Sequence, residues 1–524
     1  MSAQTSPSDP PPAEAAPDRL SAGNKLTIGV LLVSAFVMIL NETVMNVALQ
    51  PLMEEFQVAE STVQWLTTAF MLTLSVVIPT TGWLMQRLNL RATFTLAMSL
   101  FVVGTAVAGA AVGFPMLLVG RVVQAAGTAI VLPLMMTTVL TLVPLHRRGV
   151  VMGNIAIVIS VAPATGPALS GTILHFADWR FLFLTILPIA AAALLLGRPR
   201  LSDDGGGGSE KLSVPSLLLA VPGFGGLVYG ISQLGGGGHG AGAADGVSVD
   251  PVAVVVLILG ALFLAAFTLL QIRLQSQGTA LLNLQPFRYS MFTRSLLMML
   301  LMMIALFGAL IMLPLYLQTA RGMDTLQTGL LMLPGGLLMA LLAPTVGRLY
   351  DRVGPKPLVG PGAALLVIAM FLLSLLGADS SIWLVLGLHL MLSLGLAFLF
   401  TPAFTTAMNP LPQPLYSHGS ALLNTLQQLA GATGTALLVA VMGIGAAAAA
   451  SGGAGADEAQ IAGFQTAFRT ASIMSIGTLL LGLTLRATEE SPEESTEEAP
   501  EEGCADQAVE GEPGSGGGVA EQVR

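Results

Sequence analysis

Long apolar runs recur along the whole chain and alternate with short polar connections. A helix needs about 20 apolar residues to cross ~30 Å of hydrocarbon. Fourteen stretches meet that length: 26–49, 61–83, 92–112, 115–141, 148–173, 180–197, 213–233, 251–273, 294–318, 326–347, 356–377, 382–405, 418–445 and 463–486. Helices are expected because a lipid-exposed backbone must satisfy its own polar groups. Strands of a membrane barrel would be near ten residues long and alternating, which these runs are not. The sixth run is short, and the seventh is rich in Gly and Pro (Pro215, Pro222). The pattern predicts an all-α membrane protein with fourteen transmembrane helices.

Composition supports the class. Charged residues make up 10% and hydrophobic ones 54% of the 524 residues, against about 25% charged in soluble domains. The net charge of -9 belongs to the tail. Residues 487–524 carry twelve acids and one base, leaving the rest of the chain close to neutral. Such a tail cannot bury enough apolar surface to fold alone. The Gly runs 205–208 and 235–238 and the stretch Ala446 to Ala456 read as flexible linkers. The one cysteine, Cys504, excludes a disulfide framework and a Cys-based metal site. The five histidines show no ligand spacing, and no phosphate-binding G-x-x-x-x-G-K-[ST] occurs, which excludes a pump with its own nucleotide domain. The start is Pro- and Ala-rich without a charged n-region, so the first helix is expected to be retained. With the N-terminus inside, 17 of the 21 Lys and Arg fall on the cytoplasmic side, which predicts a cell-membrane protein with both termini cytoplasmic.

An internal repeat organises the spans. Gly82-Trp83-Leu84-Met85-Gln86-Arg87-Leu88-Asn89 and Gly347-Arg348-Leu349-Tyr350-Asp351-Arg352-Val353-Gly354 both follow an even-numbered span on the same side. A parallel repeat of six-helix units, interrupted by two inserted helices, accounts for their separation, and such repeats are a transporter architecture. The division expected is a disordered cytoplasmic arm 1–25, a six-helix bundle 26–197, an insertion 198–273, a second bundle 274–486 and a disordered acidic tail 487–524.

The second copy, Gly347-x-Leu349-x-Asp351-Arg352-x-Gly354-x-Lys356, resembles motif A of the major facilitator superfamily. The first copy, with Gly82 and Arg87, has Gln86 in place of the acid and Asn89 in place of the second glycine. Arg121-x-x-Gln124-x-x-Gly127 resembles motif B, and Gly166-Pro167-x-x-Ser170-Gly171 resembles the antiporter motif C with Ser170 replacing a glycine. Asn41-Glu42-Thr43-Val44-Met45-Asn46-Val47-Ala48-Leu49 resembles the first-helix motif of the 14-helix drug:proton antiporters of the EmrB/QacA type, whose acid often stands one residue earlier, at Asn41. The resemblance implies a major facilitator fold of two six-helix bundles plus two inserted helices around a central cavity. It also implies proton-driven export of hydrophobic or amphipathic small molecules by a monomer in the lipid bilayer, with no cofactor besides the coupling proton.

The residues give this expectation a physical form. Glu42 is an acid well inside a span, which costs ~2.5–3.5 kcal/mol on insertion scales and marks a functional group. Counting ~1.5 Å per residue, it lies roughly 24 Å beyond Leu26, and Arg121 roughly 9 Å beyond Pro115 on a helix running the other way. The two depths agree, so an ion pair, direct or through water, is expected. Burial favours the neutral acid and a guanidinium favours the carboxylate; a Glu between these pulls can take up and release a proton. One proton crossing ~100 mV supplies about 2.3 kcal/mol. Asp351 and Arg352 sit where a helix end meets a loop; a carboxylate there is expected to latch the bundles by accepting from a helix N-terminus and from an Arg, and Gln86 to give a weaker, uncharged latch. Gly153, Gly166, Pro167 and Gly171 are expected to permit a kink or close packing of the fifth helix. Asn46, Gln124, Asn154, Gln318, Asn424 and Gln428 are candidate cavity residues, and the methionines of 298–312 a candidate adaptable wall. A dedicated exporter of one endogenous lipid or secondary metabolite, and a non-transporting sensor or scaffold, are the alternatives. No nucleophile–base set, metal cluster or arginine-rich nucleic-acid surface is present in the sequence.

Overall fold

The computed structural model describes residues 21–201, 213–236, 251–277 and 279–486. Among them are fourteen helices long and apolar enough to cross a membrane. These are α1 (Ala22–Phe56), α2 (Trp65–Arg87, through a 3-10 turn at Ile78–Thr80), α3 (Leu90–Gly109), α4 (Phe114–Leu142), α5 (Arg148–Phe176), α6 (Arg180–Gly197) and α7 (Val214–Gly236). They continue as α8 (Pro251–Gln275), α9 (Ser290–Thr319), α10 (Thr325–Val353), α11 (Lys356–Leu373), α12 (Ile382–Met408), α13 (Tyr416–Ser451) and α14 (Ala456–Leu483).

Two boundaries correct the sequence reading. The arm expected to be disordered through residue 25 is helical from Ala22, because the Ser21 hydroxyl accepts from Asn24 N–H at 3.1 Å and caps α1. The stretch Ala446 to Ala456, expected as a linker, continues α13 to Ser451. Alanine is the best helix former, and the helix stops only at Gly452. Residues 1–20, the Gly run 205–208, residues 237–238 of the second Gly run and the tail 487–524 lie outside the described residues, while Gly235 and Gly236 end α7.

The described helices belong to one compact unit. Within the first half α3 packs on α4 and α6, and α1 on α5; within the second α9 packs on α13 and α14, and α11 on α12 and α14. The halves meet most extensively where α5 packs on α10, with further contacts of α13 on α2 and α4 and of α12 on α5. Glycines allow this approach: a Cβ at Gly153 would stand 2.4 Å from Ala343 O, and one at Gly347 2.1 Å from Gly149 O. The first helices of the two halves, α1 and α9, share no packed interface. The inserted α7 lies against the α2–α13 seam, with Trp65 and Tyr229 stacked at 5.9 Å. Its partner α8 carries exposed Ile258, Leu262, Leu269 and Ile272, a lipid-type surface. The methionines Met298, Met299, Met302, Met303 and Met312 of α9 are all buried in the core. They are packing here and do not line a cavity as the sequence reading allowed.

The ends of the bundle differ. One end, called the basic end below, gathers the starts of α1, α5 and α13 and the ends of α2, α4 and α10. At the opposite end Arg180 bridges Glu55 at 2.9 Å and Asp178 at 2.8 Å and donates to Ala111 O at 3.2 Å. That cluster ties α1, α3 and α6 together.

Candidate functional site

Two assemblies of polar groups interrupt the apolar interior. The first lies in the amino-terminal half. Arg121, buried on α4, donates to Gln124 Oε1 at 3.1 Å, one turn along the same helix. Gln124 Nε2 donates to Thr105 Oγ1 on α3 at 2.8 Å and to Asn41 Oδ1 on α1 at 3.2 Å. Gly104 makes this reach possible, since a Cβ there would stand 2.5 Å from Gln124 N. The guanidinium carbon lies 4.2 Å from the centre of the Phe70 ring, a cation–π contact worth more where water is excluded. Its Nε has no hydrogen-bond partner. Glu42 follows Asn41 on α1, is partly buried, and feels the charge of Arg121.

The direct Glu42–Arg121 ion pair expected from depth is not made: among the described residues no such pair lies within 4.0 Å. The guanidinium is drawn instead toward Gln124 and Phe70, and the α1 residue that enters its network is Asn41. Just beyond Glu42, α5 presses on α1. A Cβ at Gly166 would stand 2.1 Å from Thr43 Oγ1, and Ser170 Oγ donates to Val44 O at 3.0 Å. Gly166 is therefore a close-packing residue, whereas Gly171 is exposed with nothing within 4 Å and does not pack closely.

The second assembly closes the basic end. Asp351, near the end of α10, accepts from Gly149 N–H at 2.8 Å and from Val150 N–H at 2.9 Å. These are free donors of the first turn of α5, where the helix dipole favours an anion. A Cβ at Gly149 would stand 2.4 Å from Asp351 Oδ1. Gly354, with φ of 74°, turns the chain sharply out of α10 in a region that glycine adopts without strain. Arg352 and Lys356 are exposed. Among the described residues Arg352 makes no ion pair with Asp351; the helix terminus supplies its hydrogen bonds, with the charge of His146 acting on it as well.

The first copy of the motif meets a histidine. Asn283 N–H donates to His418 Nδ1 at 3.3 Å, so the ring proton sits on Nε2. Gln86 Nε2 stands 2.9 Å from His418 Nε2. Two donors cannot bond, so the amide is assigned with Oε1 toward the ring, which gives up the long 3.5 Å contact of Nε2 with Pro414 O. Gly82 gives the ring its room, since a Cβ there would stand 2.6 Å from Nδ1. Arg87 is exposed and engaged in its own contacts.

Sequence reasoning missed Arg148. Buried at the start of α5, it donates to Leu140 O at 2.7 Å, Val143 O at 3.2 Å and, across the halves, Tyr416 OH at 3.0 Å and Asn409 Oδ1 at 3.4 Å. Its guanidinium serves the carbonyl end of α4, where a cation is favoured. The available signal was a cation at a helix N-terminus, an unfavourable place unless another helix claims it. Alongside, Thr137 and Ser420 hydroxyls share a hydrogen bond of 2.8 Å across the halves.

The remaining cavity candidates do not converge. Gln124 belongs to the Arg121 network, Asn154 and Gln318 are exposed, Gln428 is half-buried, and Asn424 donates back to Ser420 O at 2.8 Å. The side chains of Asn46 and Pro167 lie outside the described residues. A groove of about 470 Å³ lined by Gln275, Gln285 and Arg288 includes none of them. Among the described residues no cluster of three His, Cys, Asp or Glu could hold a metal.

Two helical halves joined through hydrogen-bonded contacts at one end, with a charged group inside the membrane-crossing region, define a membrane transporter of two-bundle design. The chain belongs to the Major Facilitator Superfamily, whose family model matches residues 31–435. It is 37% identical over 464 residues to the lincomycin resistance protein LmrB of Listeria innocua, covering 88% of this chain and 96% of that protein. It is 28% identical to a multidrug resistance protein B homolog of Mycobacterium tuberculosis, covering 80% of this chain and 77% of that one. The fold is similar to the human organic anion transporter MFSD10, with a TM-score of 0.62, 16% identity, and coverage of 88% and 100%. The chain is thus a multi-pass transporter of the cell membrane.

Proposed function

We propose that this transporter is a proton-coupled antiporter that exports hydrophobic or amphipathic small molecules, drugs among them, by alternating access. The observation that carries the coupling is Glu42 set beside the buried Arg121–Gln124–Asn41–Thr105 network. Relatives named for lincomycin and multidrug resistance support the substrate class. The excess of Lys and Arg at the basic end supports a cytoplasmic placement of that end and of both termini. On that placement, the latched end closes the cytoplasmic side.

Glu42 then meets protons arriving from outside. When charged, it attracts Arg121 and draws α4 toward α1. When neutral, it frees the guanidinium to rest on Phe70 and Gln124, the arrangement seen here. Substrate and proton exclude one another if drug binding requires the charged pair and protonation dissolves it. In inverted vesicles, Glu42→Gln should abolish pH-gradient-driven uptake of lincomycin or a dye while leaving drug binding in place. Undiminished gradient-driven uptake by that variant rejects the coupling scheme.

A further inference from the structure

The carboxy-terminal half holds a counterpart to the Arg121 position that the coupling scheme above does not use. Arg121 stands seven residues past the start of α4, the fourth helix of its half, and His389 stands seven past the start of α12, the fourth helix of the other. The register is fixed by packing as well as by counting. Gly127 and Gly395 each lie six residues further on, and each touches the third helix of its half. A Cβ at Gly127 would stand 2.5 Å from Ala97 O, and one at Gly395 2.9 Å from Gly362 O. The residues facing the two side chains also correspond. Phe70 and Gly335 both precede the motif glycines Gly82 and Gly347 by twelve residues. Arg121 lies over the Phe70 ring at 4.2 Å. Where the first half has that ring, the second has only Gly335, and a Cβ there would stand 2.2 Å from His389 Nε2. The imidazole fills the space that an aromatic side chain would need.

The hydrogen bonds of His389 determine which nitrogen is free. Nε2 lies 3.1 Å from Met332 O. A carbonyl only accepts, so the proton is on Nε2 and the lone pair on Nδ1. The side chain is 7% exposed, and no protein group reaches Nδ1. Adding a proton to Nδ1 leaves the Nε2–H bond to Met332 in place and strengthens it, because the donor becomes charged. His418 differs: a proton on its Nδ1 would expel the Asn283 N–H that it accepts.

No charged group acts on the ring. On α10 the nearest are Asp324 at the helix start and Arg348, Asp351 and Arg352 at its far end. On α9 they are Arg294 and Arg321 near its two ends, and Lys356 and Asp379 flank α11. On α5 they are Arg148 and His175, and on α13 it is His418. All sit toward one end of the bundle or the other.

We propose that His389 Nδ1 is a second proton-binding site, placed in the carboxy-terminal half at the repeat-equivalent of Arg121, so that two protons are handled per cycle. This rests on the antiport reading for its role in transport, but proton binding itself does not. The protonated ring pulls harder on Met332 O and so on α10, the helix whose end carries Asp351.

Proton uptake by the purified full-length protein, followed with a pH indicator from about pH 8 to about pH 4, a window reaching well below the ordinary imidazole range, tests the site directly. His389→Gln should take up one proton fewer per chain than wild type, and His389→Asn, a second variant in case the first does not fold, should match it. Equal uptake by a folded variant and wild type overturns the proposal. In proteoliposomes at zero membrane potential, a tenfold gradient of lincomycin should be balanced by about half a pH unit in wild type and about one unit in His389→Gln, as stoichiometry requires. A wild-type balance at one unit also overturns it. No dependence on the pH gradient in wild type, with the uptake difference intact, rejects the antiport reading and leaves the binding site standing.

Discussion

Removing the Asp351 charge should unlatch the basic end by an amount set by two hydrogen bonds. In the closed arrangement the carboxylate accepts from Gly149 N–H at 2.8 Å and Val150 N–H at 2.9 Å. Asp351→Asn keeps one accepting oxygen and turns an NH2 group toward the other backbone N–H. One charge-assisted bond is lost, worth about 1.5–3 kcal/mol, together with a helix-terminus attraction of about 0.3–1 kcal/mol. Water reaching the freed N–H in the open state offsets part of this, leaving about 2 kcal/mol against the closed form, or roughly a 30-fold shift. Cys504 is the single cysteine, so Cys504→Ser gives a clean background. Ser420, fully buried between α13 and α4, becomes a reporter as Ser420→Cys. Its reaction with a membrane-impermeant maleimide applied from the basic side should quicken by that factor when Asp351→Asn is added. A rate equal to that of the parent, with the thiol reactive after denaturation, would refute the latch.

The other contacts at this end give companion predictions. Gly82→Ala places a methyl 2.6 Å from His418 Nδ1, displaces the ring from Gln86 and Asn283, and should raise the same labelling rate. Arg148→Met keeps the length of the side chain but loses the bonds to Leu140 O and Tyr416 OH; leaving buried carbonyls unpaired costs about 1–3 kcal/mol each, seen as a lower melting temperature in detergent. Gly153→Val collides with Ala343 O and should slow transport with the membrane level of the protein preserved, measured as initial uptake rate against immunoblot.

Number, order and insertion of the spans were legible because lipid imposes one length and one backbone solution on every crossing. The errors fell at ends, where Ser21 and the alanines before Gly452 outweigh hydropathy. The site was legible in one dimension only. Counting residues fixes depth to about 1.5 Å per step but leaves azimuth open, and one residue turns a helix face by about 100°. Glu42 and Arg121 therefore came out level, while the neighbour Asn41 holds the bond to Gln124. In the sequence Arg148 is one charge among many on its side, because its partners Tyr416 and Asn409 are more than two hundred residues away. His389 shows its correspondence with Arg121 only after the helices are aligned by their packed glycines.

The extra helices gain a mechanical meaning from where they lie. One seam between the halves is secured by a carboxylate on a helix end, the other by a neutral imidazole and amide. Helix α7 leans on the second seam, and the connector following α8 supplies the Asn283 amide that sets the imidazole. The inserted pair thus splints the softer joint from the lipid side, so bilayer properties that shift α7 and α8 bear on how readily that joint parts.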